Sequence, residues 1–99
     1  MTAYKERTLL EDLAGADFSK VLDKYAEEEI IRNIAPQLDT LIDKDFGRLT
    51  LILYKIDVDE NRIRKALSHA DKDISSGQIL ARLIVDRQKQ KYELRKQFS

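Results

Sequence analysis

The sequence predicts an all-α domain, a compact bundle of four to five helices around one core with a projecting basic C-terminal helix. Three glycines and one proline in 99 residues leave long stretches without a helix breaker. Those stretches are rich in Leu, Ala, Glu, Lys, Arg and Gln, which favour helix. Only residues 49–56 are apolar enough for a strand, and a lone strand would leave its backbone hydrogen-bonding groups unpaired.

Composition narrows the classes of protein that the chain can belong to. A length of 99 residues fits one domain, and the absence of cysteine excludes a disulfide scaffold, a zinc–thiolate site and a cysteine nucleophile. The longest unbroken apolar run has four residues, from Leu51 to Tyr54, so we expect no membrane segment and no signal peptide. These features together predict a cytoplasmic protein.

Residues 1–16 are predicted to form an N-terminal arm or a short helix, ahead of a helical domain over residues 17–99. Thr8 and Glu11 have the spacing of a capping box, and Gly15 would end the helix that they begin. Its apolar face would consist of Leu9, Leu10 and Leu13. A helix this short needs docking to persist, so an unstructured start is the alternative.

The next segment contains two apolar patches that differ in phase by about half a helical turn. Asp17 or Ser19 can cap its start. The first patch is Val21, Leu22 and Tyr25, and the second is Ile31, Ile34, Leu38 and Leu41. Pro36 lies within the second patch, so either one long helix kinks there or a new helix begins at Asn33.

Residues 49–56 are interpreted as a short helix that is apolar on nearly all sides. Such a helix belongs inside a protein. We therefore expect it at the centre of the core, with Leu51, Ile52, Leu53 and Ile56 as the central side chains.

Two further helices follow. The first begins at Asp57, which forms a capping box with Glu60, or at Asp59, with Val58 and Ile63 as a hydrophobic staple, and it runs to about residue 70. The last helix has a stronger start signal, in which Ser75 and Gln78 form a capping box and Ile74 packs on Ile79. Its core face is predicted to be Leu80, Leu83 and Ile84.

Two runs of sequence resemble a family of short bacterial proteins to which no activity is assigned. The first run is LYKIDVDE at residues 53–60, and the second is ILARLIVDRQKQK at residues 79–91. The resemblance covers roughly residues 30–95. It implies a bacterial, all-helical protein and supplies no catalytic residues.

Residues for catalysis or metal binding are sparse. His69 is the only histidine, and the spacing of its neighbours forms no catalytic triad. Asp57-x-Asp59-x-Asn61 begins like a calcium loop, but Arg62 replaces the required glycine. An enzyme built on carboxylates alone would need two of them in one cavity, whereas helix periodicity places most of them outward. We therefore expect no enzyme, no metal and no cofactor.

The C-terminal segment is basic. Residues 82–96 carry six basic and two acidic side chains, and Arg87, Lys91 and Arg95 recur on one helical stripe. Residues 1–45 hold six basic and eleven acidic side chains, whereas residues 46–99 hold twelve and seven. The basic residues, Arg82 included, therefore either pair with the acidic half or contact phosphates, which makes nucleic-acid binding the alternative function.

The function predicted first is a small non-catalytic protein–protein interaction module of unknown pathway, with no membrane role. Its partner is another protein or a second copy in a homodimer. The sparse apolar residues of the last helix, Tyr92, Leu94 and Phe98, are the predicted oligomer contacts.

Overall fold

The computed structural model of the chain describes residues 8–71 and 73–98, with the side chain of Phe98 outside the description. These residues form six helices and no strand, so the predicted all-α class is confirmed. The helices are α1 (Leu9–Ala14), α2 (Phe18–Lys24), α3 (Glu27–Lys44), α4 (Phe46–Ile56), α5 (Glu60–Leu67) and α6 (Ser76–Phe98).

The two longest helices, α3 and α6, pack against each other and form the centre of the molecule. They run antiparallel, because Asp39 meets Gly77 at one end and Glu27 meets Lys89 at the other. The shorter helices pack around this pair. The fully buried side chains of the pair include Ile30, Ile34 and Leu38 from α3 and Leu80, Ile84 and Val85 from α6.

Two sets of hydrogen bonds stabilise the start of α6, one among its own first residues and one to α3. The predicted capping box is confirmed, since the Gln78 N–H donates to Ser75 Oγ at 3.1 Å and the Ser75 N–H donates to Gln78 Oε1 at 2.9 Å. The Asp39 carboxylate of α3 also accepts from the Gly77 N–H at 2.7 Å and from the Ser75 hydroxyl at 2.9 Å. A Cβ on Gly77 would lie 2.4 Å from the carbonyl oxygen of Ala35, so only glycine allows this approach.

The N-terminal part of the described chain belongs to the same core. The capping box of Thr8 and Glu11 is confirmed at the start of α1, and Leu10 and Leu13 are buried. Residues 1–7 of the predicted arm lie outside the described residues. Asp17 precedes α2, but its side chain makes no capping hydrogen bond there.

Pro36 lies inside α3 without ending it. A new helix at Asn33 is therefore wrong, and the chain breaks earlier, at Tyr25 and Ala26 between α2 and α3. This break explains the phase difference between the two apolar patches, because the patches belong to separate helices. Since proline has no N–H, the Arg32 carbonyl cannot receive the usual hydrogen bond from four residues ahead.

The prediction that residues 49–56 form the centre of the core is wrong. α4 exists, but it lies beside the α3–α6 pair and buries only Leu49 and Ile56. Ile52 and Leu53 are half-buried, and Leu51 is 70% exposed. The molecule measures 43 × 40 × 23 Å, and 23 Å is about two helix diameters, so a helix outside the central pair keeps one side in solvent.

The last two helices complete the bundle. α5 begins at the Asp59 cap, whose carboxylate accepts from the Asn61 N–H at 2.9 Å, and ends at Leu67, earlier than predicted. α6 buries Gln88, whose side-chain amide donates to the Leu13 carbonyl at 2.7 Å. That carbonyl is one of the four at the end of α1 that lack a partner within their own helix, so Gln88 joins α1 to α6.

Candidate interaction surface

The outward side of α4 carries the most exposed apolar residues of the described chain. Leu51 is 70% exposed, Tyr54 is 85% exposed and Phe46 is 62% exposed. At 100° per residue, Gly47, Leu51 and Tyr54 project within about 60° of one another, and Phe46 lies on their flank. We call these four residues the α4 outer face.

The orientation of α4 follows from its opposite side. Leu49 and Ile56 are fully buried and project in nearly the same direction, and the half-buried Ile52 and Leu53 flank them on either side around the helix. These residues have the spacing of an amphipathic stripe toward the core. The α4 outer face is therefore the side of the helix that points away from the core.

Both ends of α4 are capped. At the start, the Asp45 carboxylate accepts from the Arg48 N–H at 3.1 Å. At the end, Asp57 takes a left-handed conformation with φ of 67°, and the Asp57 and Val58 N–H groups donate to the Tyr54 and Leu53 carbonyls. This is a Schellman motif with aspartate in the place usually taken by glycine, which carries a backbone cost that the surrounding contacts offset.

Two basic residues of α6 supply those contacts. Arg87 donates from Nε to the Asp57 carbonyl at 3.1 Å and from its guanidinium to the Asp57 carboxylate at 3.2 Å. Lys91 donates to the Ile56 carbonyl at 2.5 Å. Partial burial, and then the positive charge of Arg87, lower the pKa of Lys91, against a smaller opposing effect of Asp57. These cations sit at the negative end of α4 and hold that helix in place.

The two remaining predicted phosphate contacts also bind within the chain. Arg82 lies 3.5 Å from the Glu28 carboxylate, and the Arg95 guanidinium lies 4.6 Å from the centre of the Phe18 ring. Arg82 thus pairs with the acidic half of the chain, as one of the two interpretations predicted. Each of the four predicted basic contacts therefore has a partner on another element of the fold.

The predicted oligomer contacts on α6 lie in different surroundings. Tyr92 is half-buried, and its hydroxyl hydrogen-bonds the Asp23 carboxylate of α2. Leu94 is 46% exposed. Phe98 lies outside the described side chains. Leu94 alone of the three is thus placed at an exposed position.

A groove of about 860 Å³ lies between α3, α5 and the start of α6. Its apolar lining includes Ile31, Ile79 and Leu83, and its rim carries charges of both signs. Among its carboxylates, Asp39 already accepts two hydrogen bonds from the start of α6, and Glu28 pairs with Arg82. The groove therefore presents an apolar floor, and two of its carboxylates, Asp39 and Glu28, are engaged in the fold.

The residues around His69 form turns that local hydrogen bonds stabilise. His69 is exposed after α5, the Ser68 hydroxyl donates to the Lys65 carbonyl at 2.6 Å, and Asp71 accepts from the Asp73 and Ile74 N–H groups. Over residues 8–71 and 73–98, no cluster of three or more His, Cys, Asp or Glu side chains could hold a metal ion. Over the same residues, no helix is both long and apolar enough to cross a membrane.

Comparison with models of protein families, with curated proteins and with solved structures gives no match. The resemblance to short bacterial proteins therefore stays a prediction.

Sequence reasoning missed the α4 outer face because it placed the whole apolar stretch 49–56 in the core and assigned no role to Phe46. One signal was present in the sequence, namely Gly47 near the start of an otherwise bulky apolar helix. A glycine there weakens a buried helix and leaves space on its surface.

Proposed function

We propose that this protein is a small non-catalytic protein–protein interaction module that binds its partner through the α4 outer face. The observation that carries the proposal is the exposure of Phe46, Leu51 and Tyr54 on one helix. With about 200 Å² for a fully exposed side chain of this size, they offer roughly 400 Å² of apolar surface. Patches of that size on single domains often serve binding.

The shape of the surface favours a protein as the ligand. A small molecule is bound in a concave site that encloses most of its surface, whereas the side of a helix is convex. A second helix or a shallow groove of another protein can cover such a side. The caps at Asp45 and Asp57 hold α4 in its position, so binding there needs little ordering of the chain.

The nucleic-acid alternative has less support. Arg82, Arg87, Lys91 and Arg95 each contact a carboxylate, a carbonyl or an aromatic ring of their own chain. A phosphate would have to replace those contacts. The setting that we propose for the interaction module is a bacterial cytoplasm, which suits a chain without cysteine.

Site-specific photo-crosslinking in cells of the source organism tests the proposal. A photoreactive phenylalanine analogue replaces Tyr54, and in a control protein it replaces Asn61, an exposed residue of α5. We expect a discrete crosslinked protein band from position 54 and none from position 61. The absence of a band from position 54, or equal bands from both positions, would contradict the proposal.

A further inference from the structure

The groove between α3, α5 and the start of α6 is a different surface from the α4 outer face, because no residue of α4 lines it. Its floor is apolar and includes the buried Ile31 and Ala35 of α3 and the half-buried Ile79 and Leu83 of α6. Ile74, which is 47% exposed, lies at the end of the groove beside the start of α6. Apolar side chains of a ligand can therefore pack along this floor.

The shape of the groove fits one side of a helix. The groove runs along α6 from Ser75 to Asp86, which is about 16 Å or three helical turns. α5 contributes a single small side chain, Ala66, to the lining, and Pro36 and Gln78 on the other walls are exposed. A small molecule is bound where most of its surface is enclosed, whereas an amphipathic helix lays only its apolar side into a groove.

The rim of the groove has more acidic than basic side chains. Its carboxylates are Glu28, Asp39, Asp73 and Asp86, and its cations are Arg32 and Arg82. Glu28 and Arg82 pair with each other, and Asp39 binds the start of α6. Within residues 8–71 and 73–98, the exposed Asp73, Asp86 and Arg32 form no ion pair. Two carboxylates and one guanidinium are therefore available to a ligand, and the carboxylates lie toward opposite ends of the groove.

The α3 wall adds a hydrogen-bond acceptor. Arg32 and Pro36 both line the groove, and Pro36 supplies no N–H to the Arg32 carbonyl four residues before it. A carbonyl that lacks this partner keeps its capacity to accept a hydrogen bond from a ligand. Lysine and arginine side chains only donate, so one type of side chain suits this carbonyl and the two carboxylates.

We propose that the groove binds an amphipathic helix of another protein, with apolar side chains on the floor and Lys or Arg side chains toward both ends of the apolar stripe. The basic side chains pair with Asp73 and Asp86, and one of them donates to the Arg32 carbonyl. This inference goes beyond the proposed function, because it concerns a surface on the other helices. A chain that binds at both surfaces would join two proteins.

Amide chemical shifts of the labelled protein test the proposal with two synthetic helical peptides. Both peptides carry the same stripe of leucines, flanked by lysines in one and by glutamates in the other. The lysine peptide should shift the amide signals of Ile79 and Ala66 and bind at least about tenfold more tightly than the glutamate peptide. Equal affinities, shifts at Leu51 and Tyr54 instead, or no shift at Ile79 would each overturn the proposal. Crosslinking at position 54 is a separate readout, so either proposal can fail alone.

Charge reversal on α6 tests the pairing at the rim. Asp86→Lys should weaken binding of the lysine peptide about fivefold, because an attraction becomes a repulsion. Arg32→Glu should strengthen it by a similar factor. Glu93→Lys is the matched control, since it makes the same change at an exposed residue of α6 about 10 Å beyond Asp86 and outside the groove. Equal losses for Asp86→Lys and Glu93→Lys would indicate a general charge effect and overturn the pairing.

Pro36→Ala tests the carbonyl. The new N–H restores the hydrogen bond within α3, so the urea midpoint should rise while the lysine peptide binds about two- to tenfold more weakly. The glutamate peptide offers no such donor and should lose much less, whereas the missing proline ring affects both peptides alike. A loss of the same size for both peptides, or none for the lysine peptide, would show that the Arg32 carbonyl takes no part in binding.

Discussion

Of the two helices α4 and α6, the more apolar one is the less buried. α4 has apolar side chains on two sides, yet only Leu49 and Ile56 are buried in it. α6 is far more polar and lies at the centre of the fold. Its buried residues are Gly77, Leu80, Ala81, Ile84, Val85 and Gln88. The hydrophobicity of a helix therefore does not decide its depth in this fold.

Close approach of backbones decides the depth instead. Gly77 lets the start of α6 touch the Ala35 carbonyl of α3, and Ala81, one turn later, is also fully buried. Asp39 then hydrogen-bonds across the same contact. α4 has small residues too, but its glycine faces outward, where no element of its own chain approaches.

The largest expected effect separates the two sides of α4. Ile56→Ala should lower the free energy of unfolding by about 2–5 kcal/mol, because it opens a cavity at a fully buried position. Leu51→Ala should change it by less than about 0.5 kcal/mol, because the side chain lies in solvent. Urea denaturation measures both changes. Equal losses would show that the α4 outer face is part of the core.

A smaller effect distinguishes the two helical glycines. Gly77→Ala should destabilise the fold by about 1–3 kcal/mol, since the new Cβ has no room against the α3 backbone. Gly47→Ala, the same change at an open position, should stabilise the fold by up to about 1 kcal/mol through helix propensity. Urea midpoints of both variants give the comparison. A Gly77→Ala protein as stable as the wild type would refute the close α3–α6 contact.

The smallest expected effect concerns Lys91 of α6, whose ammonium group lies at the C-terminal end of α4. Because the pKa of Lys91 is lower in the folded protein than its usual value of 10.5, the unfolded chain holds that proton more tightly just below pH 10.5. The contribution of Lys91 to the free energy of unfolding therefore rises with pH in that window. Urea midpoints at about pH 8 and about pH 10 should show a gain for the wild type relative to Lys91→Met.

Lys91→Arg is the control for that pH dependence. It keeps a cation that does not titrate below about pH 12, so it should lose the gain just as Lys91→Met does. An identical change with pH in all three proteins would show that Lys91 does not titrate abnormally.

The starts of three helices could be predicted from sequence. The Thr8 and Ser75 capping boxes appear as predicted, and the Asp59 cap is one of the two alternatives that the sequence left open, because each joins residues only two or three positions apart. The predicted length of α5 was less accurate, since it ends at Leu67 rather than near residue 70. Helix ends depend on more than a local pattern of this kind.

The pairing of elements and the candidate site could not be predicted in the same way. The contact between Asp39 and Gly77 joins residues 38 positions apart, and that between Gln88 and Leu13 joins residues 75 apart. No periodicity identifies such partners. The placement of Arg87 and Lys91 on the end of α4 is a further case, because a basic stripe is compatible with phosphate contact as well.

The sequence by itself determined that this chain is helical, because propensity and capping depend on residues within one or two turns of each other. Only the tertiary structure decided which apolar surfaces meet and which remain open. Burial depends on the backbone approach that distant residues allow, and a fold two helices thick cannot surround every apolar helix. Phe46, Leu51 and Tyr54 remain in solvent for that reason.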